Sequence, residues 1–350
     1  MKIDLFDYKL PKELIAQKQI KPRDHSRLLI LDRTKQKIAH RHFYDLLDYL
    51  TANDVLVINQ TKVFPARLYG YKTSGGKVEV LLTIQERNGV WSALIGARHM
   101  KVGDYIYFQK GLEAKIIKDL DGKTKQIKFN LAGQRLNKLI DQIGHTPLPP
   151  YIKTKDSQAV KKDYQTVYAK FSGSAAAPTA GLHFTSSLLE EIKKKGVKIF
   201  KVTLHVGLGT FAPVLVDDIL QHKIHQEWAS IDQSTAQSLN KLKKSGKNII
   251  AVGTTSARTL EAFTNSRRQL ASGSKWVDIY IYPGYRYKFV DDLITNFHLP
   301  KSSLLFMVSA LASRELVLKA YRKAIQLRYR FFSFGDAMFI RNSSTKTKSK

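Results

Sequence analysis

The chain of 350 residues contains no cysteine. That absence removes disulfides, thiolate nucleophiles and cysteine-ligated zinc or iron–sulfur centres together. Long apolar runs are missing too. A run such as Leu304–Val308 is far short of the about 20 residues that a membrane-spanning helix needs. The amino-terminal stretch MKIDLFDYKLPKELI carries acidic residues early and has no apolar signal core, so a cytoplasmic protein with no membrane partner is expected. Negative charge is scarce: 29 Asp and Glu stand against 58 Lys and Arg, a formal net charge of +29. A polyanion suits such a surface, nucleic acid above all, although a basic surface also arises without a function. The end of the chain, SSTKTKSK at 343–350, reads as a basic disordered tail.

What is present is a chain long enough for two domains, 43% hydrophobic. Residues 28–32 (LLILD) and 54–59 (DVLVIN) read as strands, and 43–50 as a helix. Just past the second strand, NQTKVFPARL gathers Asn59, Thr61, Lys62 and Arg67, where open α/β sheets place ligand contacts; an ordinary turn stiffened by Pro65 is the simpler account. From Arg67 to Asn130 the pattern becomes short alternating runs, KVEVLLTI, VWSALI, DYIYF, EAKIIKDL and KQIKFN, broken at Gly75-Gly76, Asn88-Gly89, Gly103-Asp104 and Asp121-Gly122. Such runs close most economically into a small antiparallel barrel. The expected organisation is therefore an α/β fold: an open, Rossmann-like sheet domain from 1–66 and 146–342, with a β-barrel domain inserted at 67–145.

The second half repeats strand, loop, helix. VKIFKVTLHV runs into GLGTFAPV, residues 249–252 run into the turn Gly253–Thr255 and a helix bearing Arg258, WVDIYIYPGYRY offers a further strand and turn, and DLITNFHLPK carries Asn296, His298 and Lys301. If these strands are parallel neighbours, their loops share one edge of the sheet, where α/β folds bind ligands. KFSGSAAAPTAGLHFT, residues 170–185, precedes the amphipathic SSLLEEIKKKG. Ser187 and Glu190 have the spacing of a capping box and Gly196 stands where a C-terminal cap would. A flexible Ala/Ser/Gly linker has the same composition, but its place among the strand–loop–helix junctions argues for one wall of a site.

Other chemistries fit poorly. Among His183, His205, His222, His225 and His298, the HxxH of His222 and His225 could place two rings on one helical face, but no HExxH occurs and the carboxylate Glu227 only two residues on fits no standard cage well. There is no GxSxG nucleophile elbow. GLGTF after a strand resembles a nucleotide-binding glycine loop, but Pro213 follows closely and no ribose-binding acid is well placed.

NQTKVFPARL, GGKVEVLL, YQTVYAKFSGSAAAPTAGLHFT, VTLHVGLGTFAPV, HKIHQEW, AVGTTSARTLEA, PGYRYKFVDDLITNFHLPKSSLLFMVSA and YRFFSFGDAM together resemble, in order and over nearly the full length, the S-adenosylmethionine:tRNA ribosyltransferase-isomerases of queuosine biosynthesis. The resemblance implies transfer of the ribosyl part of S-adenosylmethionine to the aminomethyl-deazaguanine at the tRNA wobble position, with isomerisation to an epoxycyclopentanediol and loss of adenine and methionine. It implies no metal and no cofactor beyond S-adenosylmethionine as co-substrate. A monomer is expected. Such a reaction needs a base beside the sulfonium, an acid for departing adenine and anchors for a zwitterionic methionine. His183 or His205 is expected to move the proton, since imidazole titrates near neutrality. Arg258, grouped with these catalytic residues, is expected with Thr254 and Thr255 to hold ribose or phosphate. The helix start after Thr185 is expected to take the methionine carboxylate. Lys62, Arg67 and Lys301 are expected at the RNA entrance, and Asn59, Thr61, Thr179, Gly181, Gly207, Gly209, Thr210, Asn296 and His298 among the substrate contacts. A tRNA methyltransferase and a non-enzymatic RNA-binding factor are the rival readings.

Overall fold

A computed structural model describes residues 1–154, 156–207 and 214–343. Gly209, Thr210 and residues 344–350 of the expected tail lie outside the described residues. The strands in chain order are β1 (Arg27–Asp32), β2 (Lys37–His42), β3 (Asp54–Asn59) and β4 (Thr61–Val63). Then come β5 (Arg67–Lys72), β6 (Lys77–Arg87), β7 (Val90–Ile95), β8 (Tyr105–Tyr107), β9 (Glu113–Asp119) and β10 (Thr124–Phe129). The remainder are β11 (Phe171–Ser174), β12 (Lys198–Leu204), β13 (Glu227–Ile231), β14 (Asn248–Val252), β15 (Gly273–Val277), β16 (Asp292–Asn296) and β17 (Ala337–Arg341).

Nine strands form one sheet in the order β15-β13-β12-β3-β14-β16-β17-β1-β2, and β5 to β10 close into the expected antiparallel barrel. The sheet is mixed. Its centre, β12-β3-β14-β16, is parallel, whereas β13, β15 and β17 join antiparallel. This differs from the expected run of parallel junctions in one respect: WVDIYIYPGYRY contributes only the end of an antiparallel edge strand, β15, and β3 supplies the fourth parallel strand.

DVLVIN is apolar without alternation because both faces of β3 are covered. Val55 and Val57 join the core beneath the helices Gly253–Phe263 and Ser303–Ala312, while Leu56 and Ile58 face Phe184, Leu188 and Ile192 on the other side. The latter residues belong to the KFSGSAAAPTAGLHFT region and the helix behind it. That stretch is more ordered than a loop: residues 171–174 form β11, which pairs parallel with β4, and Thr179–His183 make a 3-10 turn. The helix Ser186–Lys194 is capped by Thr185, whose hydroxyl accepts from the Leu188 N–H at 3.2 Å. The cap therefore lies two residues before the expected Ser187, and Glu190 instead pairs with Lys193 at 2.7 Å. Among the described residues no helix is long and apolar enough to cross a membrane.

Candidate active site

The carboxyl ends of the four parallel strands meet at one edge of the sheet, and two adjoining clefts open there. The first spans about 520 Å³, open solvent included, and brings together Thr179, Thr254, Thr255, Asn296 and His298. The second, about 680 Å³, lies between the barrel and the β12–β13 edge, with His205, Gly207, Trp228, Trp91 and Trp276 among its lining residues. Both are open to solvent. Val206 lines the first cleft and Gly207 the second, so consecutive residues separate them.

In the first cleft Gly253 opens the helix Gly253–Phe263 with φ +85, a conformation that favours glycine. No side chain caps that helix, so its N-terminal dipole faces the cleft uncompensated. Thr255 Oγ1 and Asn296 Oδ1 are buried there without a hydrogen-bond partner among the described residues. Phe332, in the opposite wall, is held at φ 74, a strained setting for a side-chain-bearing residue. Asn296 Nδ2 donates to the Phe332 carbonyl and lies 3.1 Å from His183 Nε2. His298 Nε2 is 2.9 Å from the Thr295 hydroxyl, and burial pushes its pKa down to about 3.

His183 stands behind this wall rather than in it. Its ring is 3% exposed, stacks on Phe43, and spends Nδ1 on the Ser26 hydroxyl at 2.6 Å and Nε2 on Asn296. Burial, then the charges of Arg330 and Arg23, lowers its pKa to about 3. His205 faces the second cleft. Its Nδ1 lies 2.7 Å from the Thr61 hydroxyl, its ring stacks on Trp228, and burial lowers its pKa to about 4. Its Nε2 is approached by Gly173, where a Cβ would sit 2.7 Å away. Glycine is required there to leave the nitrogen open.

At the second cleft Glu227 forms a buried ion pair through Oε2 with Nη1 of Arg258, which itself lines neither cleft, and Glu227 Oε1 accepts from Gly207 N–H at 3.0 Å. Arg258 Nε and Nη2 have no partner among the described residues. Glu227 is not among the site residues expected from the sequence. Its neighbour Trp228 and the Gly173 contact were not singled out, although all three fall inside the quoted blocks. Among the described residues no three His, Asp or Glu side chains converge to hold a metal ion.

Several of the expected contacts hold partners within the protein. Asn59 spends both amide atoms on backbone: Oδ1 accepts from Thr61 and Leu204 N–H, and Nδ2 donates to the Leu204 carbonyl. Gly181 is packed beneath Tyr168, whose hydroxyl a Cβ would strike. Thr185 donates to Asp24 at 2.7 Å, so the capped helix start behind it faces a carboxylate and is a poor seat for another. Lys301 pairs with Asp4 and Asp7 at 2.7 and 3.2 Å, tying down the amino-terminal segment. Arg67 pairs with Glu79 at 3.0 Å and donates to the Leu148 carbonyl, at the root of the barrel. Lys62 is exposed and lines a third cleft with Lys161 and Lys162.

A family profile described as queuosine biosynthesis protein matches residues 3–340. The chain belongs to that family. Proteins named S-adenosylmethionine:tRNA ribosyltransferase-isomerase from Staphylococcus haemolyticus and Staphylococcus aureus are each 51% identical over 343 residues, 97% of this chain and 100% of theirs. A crystal structure of an S-adenosylmethionine tRNA ribosyltransferase from Thermotoga maritima is 36% identical, covers 96% of this chain and 99% of its own, and superposes with a TM-score of 0.54. The queuosine biosynthesis match spans both the sheet and the barrel, so both clefts lie inside it.

The buried histidines of this queuosine-family fold carry a pH dependence with a definite sign. His183 and His298 stay neutral when folded but regain a pKa of about 6.5 when unfolded. Above about pH 6.5 neither state is protonated and stability is full. Below it the unfolded chain binds protons that the fold refuses, so stability falls by up to about 1.4 kcal/mol per pH unit for each histidine, until about pH 3. The urea midpoint is expected to drop between pH 7 and pH 5.5, and His298→Gln should flatten that drop; a pH-independent midpoint would refute the assignment.

Proposed function

We propose that this chain is a tRNA-modifying enzyme that moves the ribosyl part of S-adenosylmethionine onto the aminomethyl-deazaguanine at the wobble position and isomerises it to the epoxycyclopentanediol, releasing adenine and methionine. It works as a cytoplasmic monomer. The observation that carries this reading is the 51% identity to ribosyltransferase-isomerases over their entire length. The geometry supports it through two adjoining clefts at the carboxyl edge of the parallel strands.

In this reading the first cleft takes S-adenosylmethionine. The uncapped start of the helix Gly253–Phe263 receives the methionine carboxylate, the role first expected at Thr185, while Thr179, Thr254, Thr255 and Asn296 meet the ribose and amine. His183 is a positioning residue: it fixes the Asn296 amide so that Oδ1 looks into the cleft. The second cleft takes the deazaguanine, a flat ring suited to its tryptophan-rich walls. His205 moves the proton next to the sulfonium. Thr61 accepts from Nδ1–H, which leaves the Nε2 lone pair beside Gly173 for the substrate.

Incubating the protein with S-adenosylmethionine and a tRNA carrying the deazaguanine precursor tests the reading. Adenine, methionine and a heavier wobble base are expected. S-adenosylhomocysteine would indicate methyl transfer instead, and no small-molecule product would leave only an RNA-binding factor.

A further inference from the structure

The outer face of the barrel carries an aromatic patch that neither cleft uses. Along β5, Leu68 and Gly70 point inward and Tyr69 and Tyr71 outward; on β8, Ile106 points inward and Tyr105 and Tyr107 outward. The two strands pair with Tyr71 opposite Tyr107. Gly70 lets them approach, since a Cβ there would lie 2.6 Å from the Tyr107 carbonyl oxygen. The four tyrosines are 51%, 53%, 39% and 39% exposed, so the barrel core gains little from them.

The surroundings favour an anion. Lys115 Nζ stands 5.4 Å over the Tyr105 ring, Lys77 lies opposite Tyr71, and the carboxylate of Glu79 is taken up by Arg67, leaving Glu113 opposite Tyr107. The Tyr105 and Tyr107 rings lie within 19° of parallel with centroids 6.4 Å apart. At the other end the Tyr69 ring meets His145 at the barrel's exit, and Thr146 lines the cleft of Lys62, Lys161 and Lys162. Ser172 lines both that cleft and the one holding His205. Aromatic and cationic groups thus lead from the barrel surface to the candidate site.

We propose that the β5–β8 face is a stacking platform for unpaired RNA bases flanking the nucleotide being modified. The rings take base faces while the lysines and the adjoining cleft take phosphates. Stacking has little sequence preference, so the platform reads an open loop rather than a particular base.

The inference rests on the tRNA reading of the function, and the test separates the two. Affinity for a labelled anticodon stem-loop is measured by anisotropy, beside the same RNA with its loop closed by a complementary strand. Tyr71→Ala with Tyr107→Ala should weaken binding of the open loop about tenfold or more and leave the closed one nearly unchanged. Tyr71→Phe with Tyr107→Phe should retain affinity, and KM for S-adenosylmethionine should not move. Ultraviolet cross-links of the unaltered protein to the loop should fall on β5 or β8 peptides. Unchanged affinity in the alanine variant, equal loss for both RNAs, or cross-links only elsewhere would overturn the platform. Absence of adenine release by the unaltered protein would overturn the function, while the anisotropy would still judge the platform.

Discussion

His205→Gln is expected to lower kcat by about 10² to 10⁴-fold, the range typical of losing a positioned proton-transfer group. Glutamine can keep a hydrogen bond to Thr61, so the urea midpoint and KM for S-adenosylmethionine should change little. The pH profile gives an independent check. Burial holds the imidazole at about pH 4, so the neutral, proton-accepting form dominates throughout the physiological range. For the unaltered protein kcat/KM should be level from about pH 8 to pH 5 and fall below that as His205 protonates. An inflection near pH 6.5 would assign the limb to an ordinary exposed histidine. Retention of more than a tenth of the original kcat by His205→Gln would remove His205 from the chemistry.

Glu227→Ala should be the most destabilising single change at the site, by about 3–5 kcal/mol, because it leaves a buried guanidinium uncompensated. The Arg258 and Glu227 side chains are 7% and 2% exposed, so solvent offers little relief. The same change strips the Gly207 N–H of its acceptor. Urea unfolding measures the loss. Pairing Glu227→Leu with Arg258→Met should recover much of it, since apolar groups of similar volume often replace a buried pair without penalty. The double variant should nevertheless stay poorly active, because the pair ties the helix Gly253–Phe263, whose start lines the first cleft, to Glu227 in the second. A loss under about 1 kcal/mol for Glu227→Ala would show that the pair does not hold this wall together.

The sequence made some of this legible and hid the rest for identifiable reasons. DVLVIN reads as a doubly covered strand because burial on both faces leaves an uninterrupted apolar run. The barrel strands read clearly because alternation and turn glycines are local signals. Strand direction is not local: nothing in WVDIYIYPGYRY tells that β15 runs antiparallel at an edge. Caps are ambiguous where Thr185 and Ser187 are both competent and only packing chooses between them. Lys301 looked like a free cation because its partners, Asp4 and Asp7, lie almost the whole chain away. His183 and His205 are alike in composition and neighbourhood. Only the fold shows that one ring has both nitrogens spent on protein and the other has Nε2 beside a glycine.

The order of the strands along the chain also sets the order in which synthesis can complete them. Every strand of the barrel finds its partners within residues 67–129, so the barrel can close as soon as that segment leaves the ribosome. β3, made earlier, must wait for β12 and β14, and β1 waits for β17 near the end. During that interval β3 has no parallel neighbour, and such long-range pairings close slowly. The nascent chain therefore carries a finished barrel beside an unfinished sheet until the strands of its second half are made.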